Sequence, residues 1–438
     1  MAARVGVFVE QGGDFRAKRV VSGLQWRSAM RRPVMLNLAL LGLLACVDEA
    51  EPACELDLVA VIELGEEVED VCATTASGRI VLDTVDGVVV ARLDADNRLQ
   101  TLTRVDGEHT SCVGVAEDPS TGHLWLGLRH GAIDGVEYEL LELDSSGLAL
   151  RREVLVADAG EVRLGGLGFA DDHLYLGGLV EEAVESREGG SLAHGLLEAR
   201  DRSGAVVWRR LDYYGSNPAP EYSGQGFEGF AELVADTSGV VAFAYEFGID
   251  SAQISLLSVS VHDGDVRWVD LVVGDDYYGP NPRLGGDGQG RLFLAEEQQP
   301  RYLFDDHWFV IGVERPGQSI VSALWARGGT AWRTPVELPG WHEVAVSNPV
   351  PLGPGVDEDG RWDPASVEVV ASGRNDEGEF EASLIRYDAD GVYACRRALF
   401  GPQLRSLESL QLLDDRRRVI AGIRDDGEHE PVLVVLAE

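Results

Sequence analysis

The chain has 438 residues, with 75 acidic against 37 basic side chains and a formal net charge of −38 at pH 7. A surface this negative repels nucleic-acid backbones and anionic lipid headgroups, which excludes functions that depend on binding either. No lysine follows Lys18, so every positive side chain beyond it is an arginine.

Residues 1–29 are polar, with Arg4, Arg16, Lys18, Arg19 and Arg27 among them. Met30-Arg31-Arg32 then precedes the apolar run Leu36–Ala45, which is too short to span a membrane. A basic stretch, a short apolar stretch and a small-residue cleavage site, in that order, read as a secretory signal whose true start is Met30. Leu43-Leu44-Ala45-Cys46 resembles the lipobox of bacterial lipoproteins. That resemblance implies cleavage before Cys46, acylation of Cys46, and a lipid anchor in the outer membrane or at the cell surface; plain secretion is the rival reading. From Cys46 onward, 30 basic and 73 acidic side chains leave −43. The expected organisation is a signal region over 1–45, a tether over 46–54 and one domain over 55–438.

Apart from Cys46 there are four cysteines, Cys54, Cys72, Cys112 and Cys395. An even number without CxxC or zinc-like spacing suits disulfides in an oxidising compartment.

From residue 55 the chain reads as a repeat of short strands. The clearest copies are His123-Leu124-Trp125-Leu126-Gly127, His173-Leu174-Tyr175-Leu176-Gly177 and Arg291-Leu292-Phe293-Leu294-Ala295. Weaker ones begin at Arg79, Val240, Glu368 and Arg418, giving seven copies at intervals of 44, 50, 67, 51, 77 and 50 residues. Hairpin turns follow at 94–97, 144–147, 201–204, 262–264 and 388–391, rich in Asp and Gly. The period points to an all-β fold, a single β-propeller of four-stranded blades. Seven blades are expected, with six or eight left open by the two long intervals.

The chain ends bear on closure. The last unit, 406–438, has room for three strands, while 56–62 is a strand too many ahead of the first unit. Placing that strand fourth in the last blade closes the ring and removes exposed sheet edges. This arrangement sets Cys72 and Cys112 at the same phase on the innermost strands of blades one and two. Cys395 falls on the outer strand of blade six, and Cys54 falls just before the closing strand. The pairing expected is therefore 72–112 and 54–395.

Two hairpins carry a further signature, Asp201-Arg202-Ser203-Gly204-Ala205-Val206-Val207-Trp208 and His262-Asp263-Gly264-Asp265-Val266-Arg267-Trp268. They resemble the tryptophan-docking repeats of quinoprotein-type, WD40-like propellers. That family includes pyrroloquinoline-quinone dehydrogenases and non-catalytic outer-membrane lipoproteins of the assembly machinery. The motif is a packing device, so the resemblance concerns fold rather than activity. The quinone enzymes carry an adjacent cysteine pair that this chain lacks, so no bound quinone is expected.

Other constellations are weaker. Gly189-Gly190-Ser191-Leu192-Ala193 echoes a nucleophile elbow but is expected in a loop of an all-β chain. Asp357, Asp359 and Asp363 alternate like the start of a calcium loop, without the distal glutamate of an EF-hand; a solvated acidic loop is the first reading and calcium the second. Most informative is a loop that occurs twice, Asp212-Tyr213-Tyr214-Gly215-Ser216-Asn217-Pro218 and Asp276-Tyr277-Tyr278-Gly279-Pro280-Asn281-Pro282. Each joins the outer strand of one blade to the inner strand of the next. Tyr213, Tyr214, Asn217, Tyr277, Tyr278 and Asn281 are ligand-binding candidates, because paired phenol rings suit stacking on sugar or peptide. Packing between blades is the structural alternative. The functional expectation is a non-enzymatic binding or scaffold protein for a protein, peptide or glycan. The alternative is a propeller hydrolase or lyase with carboxylates in the central channel.

Overall fold

A computed structural model describes residues 53–65, 67–132, 135–156, 160–183, 191–211, 229–236, 239–247, 252–273, 283–286, 292–298, 301–304, 310–315, 318–324, 328–338, 340–352, 355–356, 362–363, 366–399, 404–414, 416–424 and 430–438. Among them every regular element is a strand. The strands form seven antiparallel sheets around a ring: blade one over 68–106, two over 110–154, three over 161–211, four over 229–273, five over 283–335, six over 341–398 and seven over 404–437.

The seven sequence copies are the second strands of these blades. They read as apolar because each is covered on both faces by neighbouring sheets. Leu124 and Leu126 are fully buried, as are Val369, Val370 and Val432–Leu436 further on. Among the described residues the core is correspondingly divided into eight clusters, one at each joint and a second, smaller one of Val162, Val180 and Leu196 in blade three. Val81, Val90, Leu126 and Leu141 fill the joint between blades one and two, and Ile80, Leu82, Val419 and Leu433 fill the joint between blades seven and one. The innermost strands also touch in sequence round the ring, and the last, Leu404–Leu412, meets the first, Val68–Thr74.

Closure is made by the amino end. Asp57–Glu63 is the fourth strand of blade seven, paired antiparallel with Pro431–Ala437 in a register that places Val61 opposite Val434 and Glu63 opposite Val432. The expectation of seven blades closed by this strand holds. The long intervals come from additions to blades of standard design. Blade three has long second and third strands, His173–Ala183 and Ser191–Asp201, so Ser191 opens a strand rather than lying in a loop. Blade five carries an inserted hairpin, Arg301–Phe304 with Val310–Arg315. In blade six, residues 353–365 intervene before the second strand and include the short pair Gly355–Val356 and Trp362–Asp363.

The joints share one geometric position, four residues after the glycine of the turn between third and fourth strands. Trp208 follows Gly204 and its indole N–H donates to the Val261 carbonyl of blade four at 2.9 Å. Its ring covers Gly264, where φ is +71° and a Cβ would lie 2.8 Å from the indole; only glycine fits. Trp268 follows Gly264 and lies on Gly328 of blade five. Trp332 follows Gly328, lies on Gly391 of blade six and donates to the Ala389 carbonyl at 2.8 Å. Docking therefore extends to a third unit beyond the two visible in sequence, because Gly328-Gly329 replaces the Asp-Gly turn there. In blade six the same position is Cys395, which is bonded to Cys54.

Candidate functional site

The innermost strands carry β-bulges in six of the seven blades, where an extra residue turns a side chain out of the regular alternation. In blade four the extra residue is Glu232, whose φ of 44° is unusual for a side chain with a Cβ. Its carboxylate reaches across to blade five. There it accepts the Leu284 amide at 3.1 Å and meets Arg283 Nη1 at 3.1 Å. Burial pushes this carboxyl up, and the Arg283 charge and Leu284 amide pull it partly back.

Asp83 makes an equivalent link between blades one and two. It sits on the second strand of blade one and accepts the Cys112 amide of blade two at 2.8 Å. Burial pushes its carboxyl up to about 6; the Cys112 amide opposes this, while Asp70 and Glu69 add to it. The Cys72–Cys112 disulfide ties the innermost strands of the same two blades. Between blades six and seven, Asn348 donates to the Leu410 carbonyl at 2.9 Å and accepts the Leu410 amide at 2.8 Å. Between blades two and three the innermost strands approach closely through Gly114 and Gly166.

Charge also links the blades further out. Glu368 of blade six is fully buried and receives Arg418 of blade seven at 3.0 Å and Arg386 of its own sheet at 2.6 Å. Arg418 reaches on to Glu438 at 3.0 Å. Burial works against the Arg418 charge, but Glu368 and Glu438 more than offset it and raise its pKa.

A cavity of about 470 Å³ opens at the joint of blades seven and one, beside turns of the two blades. Gly78, Leu93 and Leu413 contribute to its lining, with Arg92, Asp94 and Arg417 among the polar groups around them. Asp94 is engaged with its own turn, accepting the Asp96 and Arg98 amides at 2.9 Å, and Arg417 donates to Asn97 Oδ1 at 2.6 Å.

Of the residues singled out in sequence, the four cysteines beyond Cys46 form the two expected bridges, Cys54–Cys395 and Cys72–Cys112. Cys46 lies outside the described residues, as do Tyr213, Tyr214, Asn217, Tyr277, Tyr278, Asn281, Asp357 and Asp359. Asp363 ends the short strand Trp362–Asp363. Among the described residues no group of three or more His, Cys, Asp or Glu side chains is arranged to hold a metal ion. Sequence reading missed Asp83, Glu232 and Asn348, whose roles depend on bulges and on which neighbouring strand faces them.

No protein-family model matches the chain, and no curated protein sequence matches it. Solved structures with a similar course of the chain include the polysaccharide lyase Uly1, with a TM-score of 0.49 at 9% identity over 86% of this chain and 90% of that one. A variant of Synechocystis apocarotenoid oxygenase gives 0.45 at 13% identity over 74% and 71%. The cobalt-substituted form of the oxygenase gives 0.44 at 12% identity over 77% and 75%. All these scores lie below one half, so the blade count rests on this chain's own strand order, and its chemistry on its own residues.

Proposed function

We propose that this protein is an exported, lipid-anchored β-propeller that binds a protein, peptide or glycan without transforming it. The observation carrying this reading is the use made of three described polar side chains that face the innermost strand of a neighbouring blade. Asp83, Glu232 and Asn348 each hold the innermost strand of a neighbouring blade, so their bonding is spent on the ring rather than aimed at one point. A rigid ring of this kind presents its connecting loops as a fixed binding face. The twice-occurring Tyr-Tyr-Gly loops supply stacking groups for that face. Two disulfides agree with life outside the cytoplasm. Among the described residues no helix is long and apolar enough to cross a membrane. In this reading attachment comes from acyl chains on Cys46, eight residues ahead of the bridged Cys54. Neither a quinone nor a metal is part of the proposal.

The test has two arms. Expressed with its leader, the protein should enter the detergent phase, and Cys46→Ser should move it to the aqueous fraction. On glycan and peptide arrays, the quadruple variant Tyr213→Ala, Tyr214→Ala, Tyr277→Ala, Tyr278→Ala should lose the binding seen with the parent chain. Unchanged partition or unchanged array binding would remove the corresponding half of the proposal.

One observation favours a second reading, a hydrolase or lyase using a channel carboxylate. Asp83 is half-buried and its carboxyl is pushed up to about 6, a range suited to general acid–base chemistry. Turnover of an array ligand that Asp83→Asn abolishes, with binding retained, would establish that alternative.

A further inference from the structure

At successive joints a residue of one blade's fourth strand meets the turn between the third and fourth strands of the next. Trp208, Trp268 and Trp332 lie over Gly264, Gly328 and Gly391. Leu102 lies against Gly147 between blades one and two, and Arg151 against Gly204 between blades two and three. Between blades six and seven the Cys54–Cys395 bridge stands there.

The strand register identifies the counterpart at the joint of blades seven and one. Trp125 comes two residues after His123, whose carbonyl closes the turn from the Asp118 amide, and starts a row across blade two, Trp125–Glu142–Arg151. The row through Trp208 is Tyr175–Ala199–Trp208. Val419 comes two residues after Arg417, whose carbonyl closes the same turn from the Leu413 amide, and starts the row Val419–Val435–Ala60 in blade seven. Ala60 thus holds the docking position and has only a methyl group to offer the next blade.

A cavity of about 470 Å³ lies at this joint, and its lining matches the surroundings of a docked tryptophan. Trp208 shares a cluster with Ala170 and Ala235, at the ends of the innermost strands of blades three and four, and with Val259 and Val261 beside the blade-four turn. The cavity is lined by Leu413, just past the innermost strand of blade seven, by Ala76 and Gly78, just past that of blade one, and by Leu93 and Ala95 beside the blade-one turn. Ala60 packs against the same cluster as Leu93 and Leu413. The hydrogen bond of the docking motif is kept without its ring. Where Trp208 donates to the Val261 carbonyl and Trp332 to the Ala389 carbonyl, Arg417 Nη1 donates to the Asp94 carbonyl at 2.8 Å.

We propose that this cavity binds an aromatic side chain of a partner polypeptide, tryptophan above the others, in the place that the protein's own tryptophans take at three other joints.

Leu93 and Leu413 give the ring apolar contact, and Arg417 brings a guanidinium beside it. The fold already uses that pairing where Arg151 lies 5.4 Å from the centroid of the Trp125 ring. Indole is the best ring for a cation and buries the most surface, which ranks tryptophan first. Ala76, Ala95 and Asp414 at the rim are exposed, so the main chain that carries the ring stays outside. The volume falls within the range of about 300–1,000 Å³ common to ligand pockets. This site is separate from the Tyr-Tyr-Gly loops and does not depend on them.

The test uses the full chain carrying Cys46→Ser, with N-acetyltryptophanamide as the probe and titration followed by calorimetry or NMR. A lone ring should bind saturably with a Kd on the order of 1 mM. N-acetylleucinamide should bind roughly fivefold more weakly or worse, having no ring for Arg417. Ala60→Trp supplies the ring from within, so it should raise the melting temperature and abolish probe binding. Ala76→Glu with Ala95→Glu changes only exposed rim positions. It should weaken binding at an unchanged melting temperature, and it carries the test if Ala60→Trp does not fold. The variant lacking the four loop tyrosines should bind the probe as the parent does. Failure of the probe to bind saturably overturns the proposal, as does equal binding of the leucine analogue. A folded Ala60→Trp chain that still binds, a rim variant that binds as tightly as the parent, or loss of probe binding with the loop tyrosines overturns it too.

Discussion

Cys395 is bonded to Cys54 from the position, four residues after Gly391, that Trp208, Trp268 and Trp332 fill in the preceding blades. In those blades an indole laid on the next turn's glycine couples neighbours without covalent bonds. Blade seven receives its fourth strand from the far end of the chain, and at that joint the coupling is covalent. The contact extends beyond sulfur: Ala53 pairs in parallel with Arg396, and Cys54 donates its amide to the Arg396 carbonyl at 3.2 Å. Cys54 and Leu56 are buried in the cluster that joins blades six and seven.

Removing this bridge with Cys54→Ser and Cys395→Ser should lower stability by about 2–5 kcal/mol, the usual effect of losing a native disulfide. Equilibrium urea unfolding of parent and variant measures it. The same change made at Cys72 and Cys112, which are 40 residues apart, should cost less in the chain-entropy picture than one spanning 341. Equal losses would show that loop length does not govern the difference.

The docking position yields a graded prediction. Trp332→Ala removes the ring that covers Gly391 and the hydrogen bond to Ala389, and should cost about 3–5 kcal/mol. Gly391→Ala should also destabilise, because φ there is +77° and a Cβ would lie 2.5 Å from the indole. Trp332→Phe should recover part of the loss by keeping the ring while giving up the donor. Thermal unfolding of the three variants gives the order.

Much of this was readable in the sequence because it rests on short-range pattern. The x-Leu-aromatic-Leu strands are apolar on both faces, as a sheet between two sheets requires. Cys72 and Cys112 fall one period apart on equivalent strands, which brings them together once the ring is assumed. The third docking tryptophan was not readable, since Trp332 follows a Gly-Gly turn rather than Asp-Gly. The staples made by Glu232 and Asn348 were not readable either. Their partners, Leu284 and Leu410, lie 52 and 62 residues away, and a bulge alters which way Glu232 points.

Asp83 should leave a signature in the pH dependence of stability. Its carboxyl titrates near 6 in the folded chain against an ordinary 3.8, with burial the main cause. Below about pH 3.8 it is protonated whether folded or unfolded and makes no difference. Between these values the unfolded chain ionises while the folded one holds its proton, so the parent loses stability as pH rises. Asp83→Asn escapes this loss and still offers an oxygen to the Cys112 amide. The variant should match the parent near pH 3.5 and exceed it by roughly 1–2 kcal/mol at pH 7.5, after allowance for partial exposure. Urea midpoints across the pH series supply the comparison. A difference that shrinks as pH rises would contradict the assignment.

Closure of the ring by Asp57–Glu63 is the central structural claim, and deletion of residues 55–64 with the rest of the chain retained tests it most directly. Val432–Leu436 are fully buried under that strand and the adjoining blades, so its removal opens an apolar edge beside blade six and loosens the Cys54 link. Calorimetry should show the whole domain melting in one transition, at a temperature lowered by several degrees or more. A deletion variant that melts at the same temperature as the intact chain would contradict the closure.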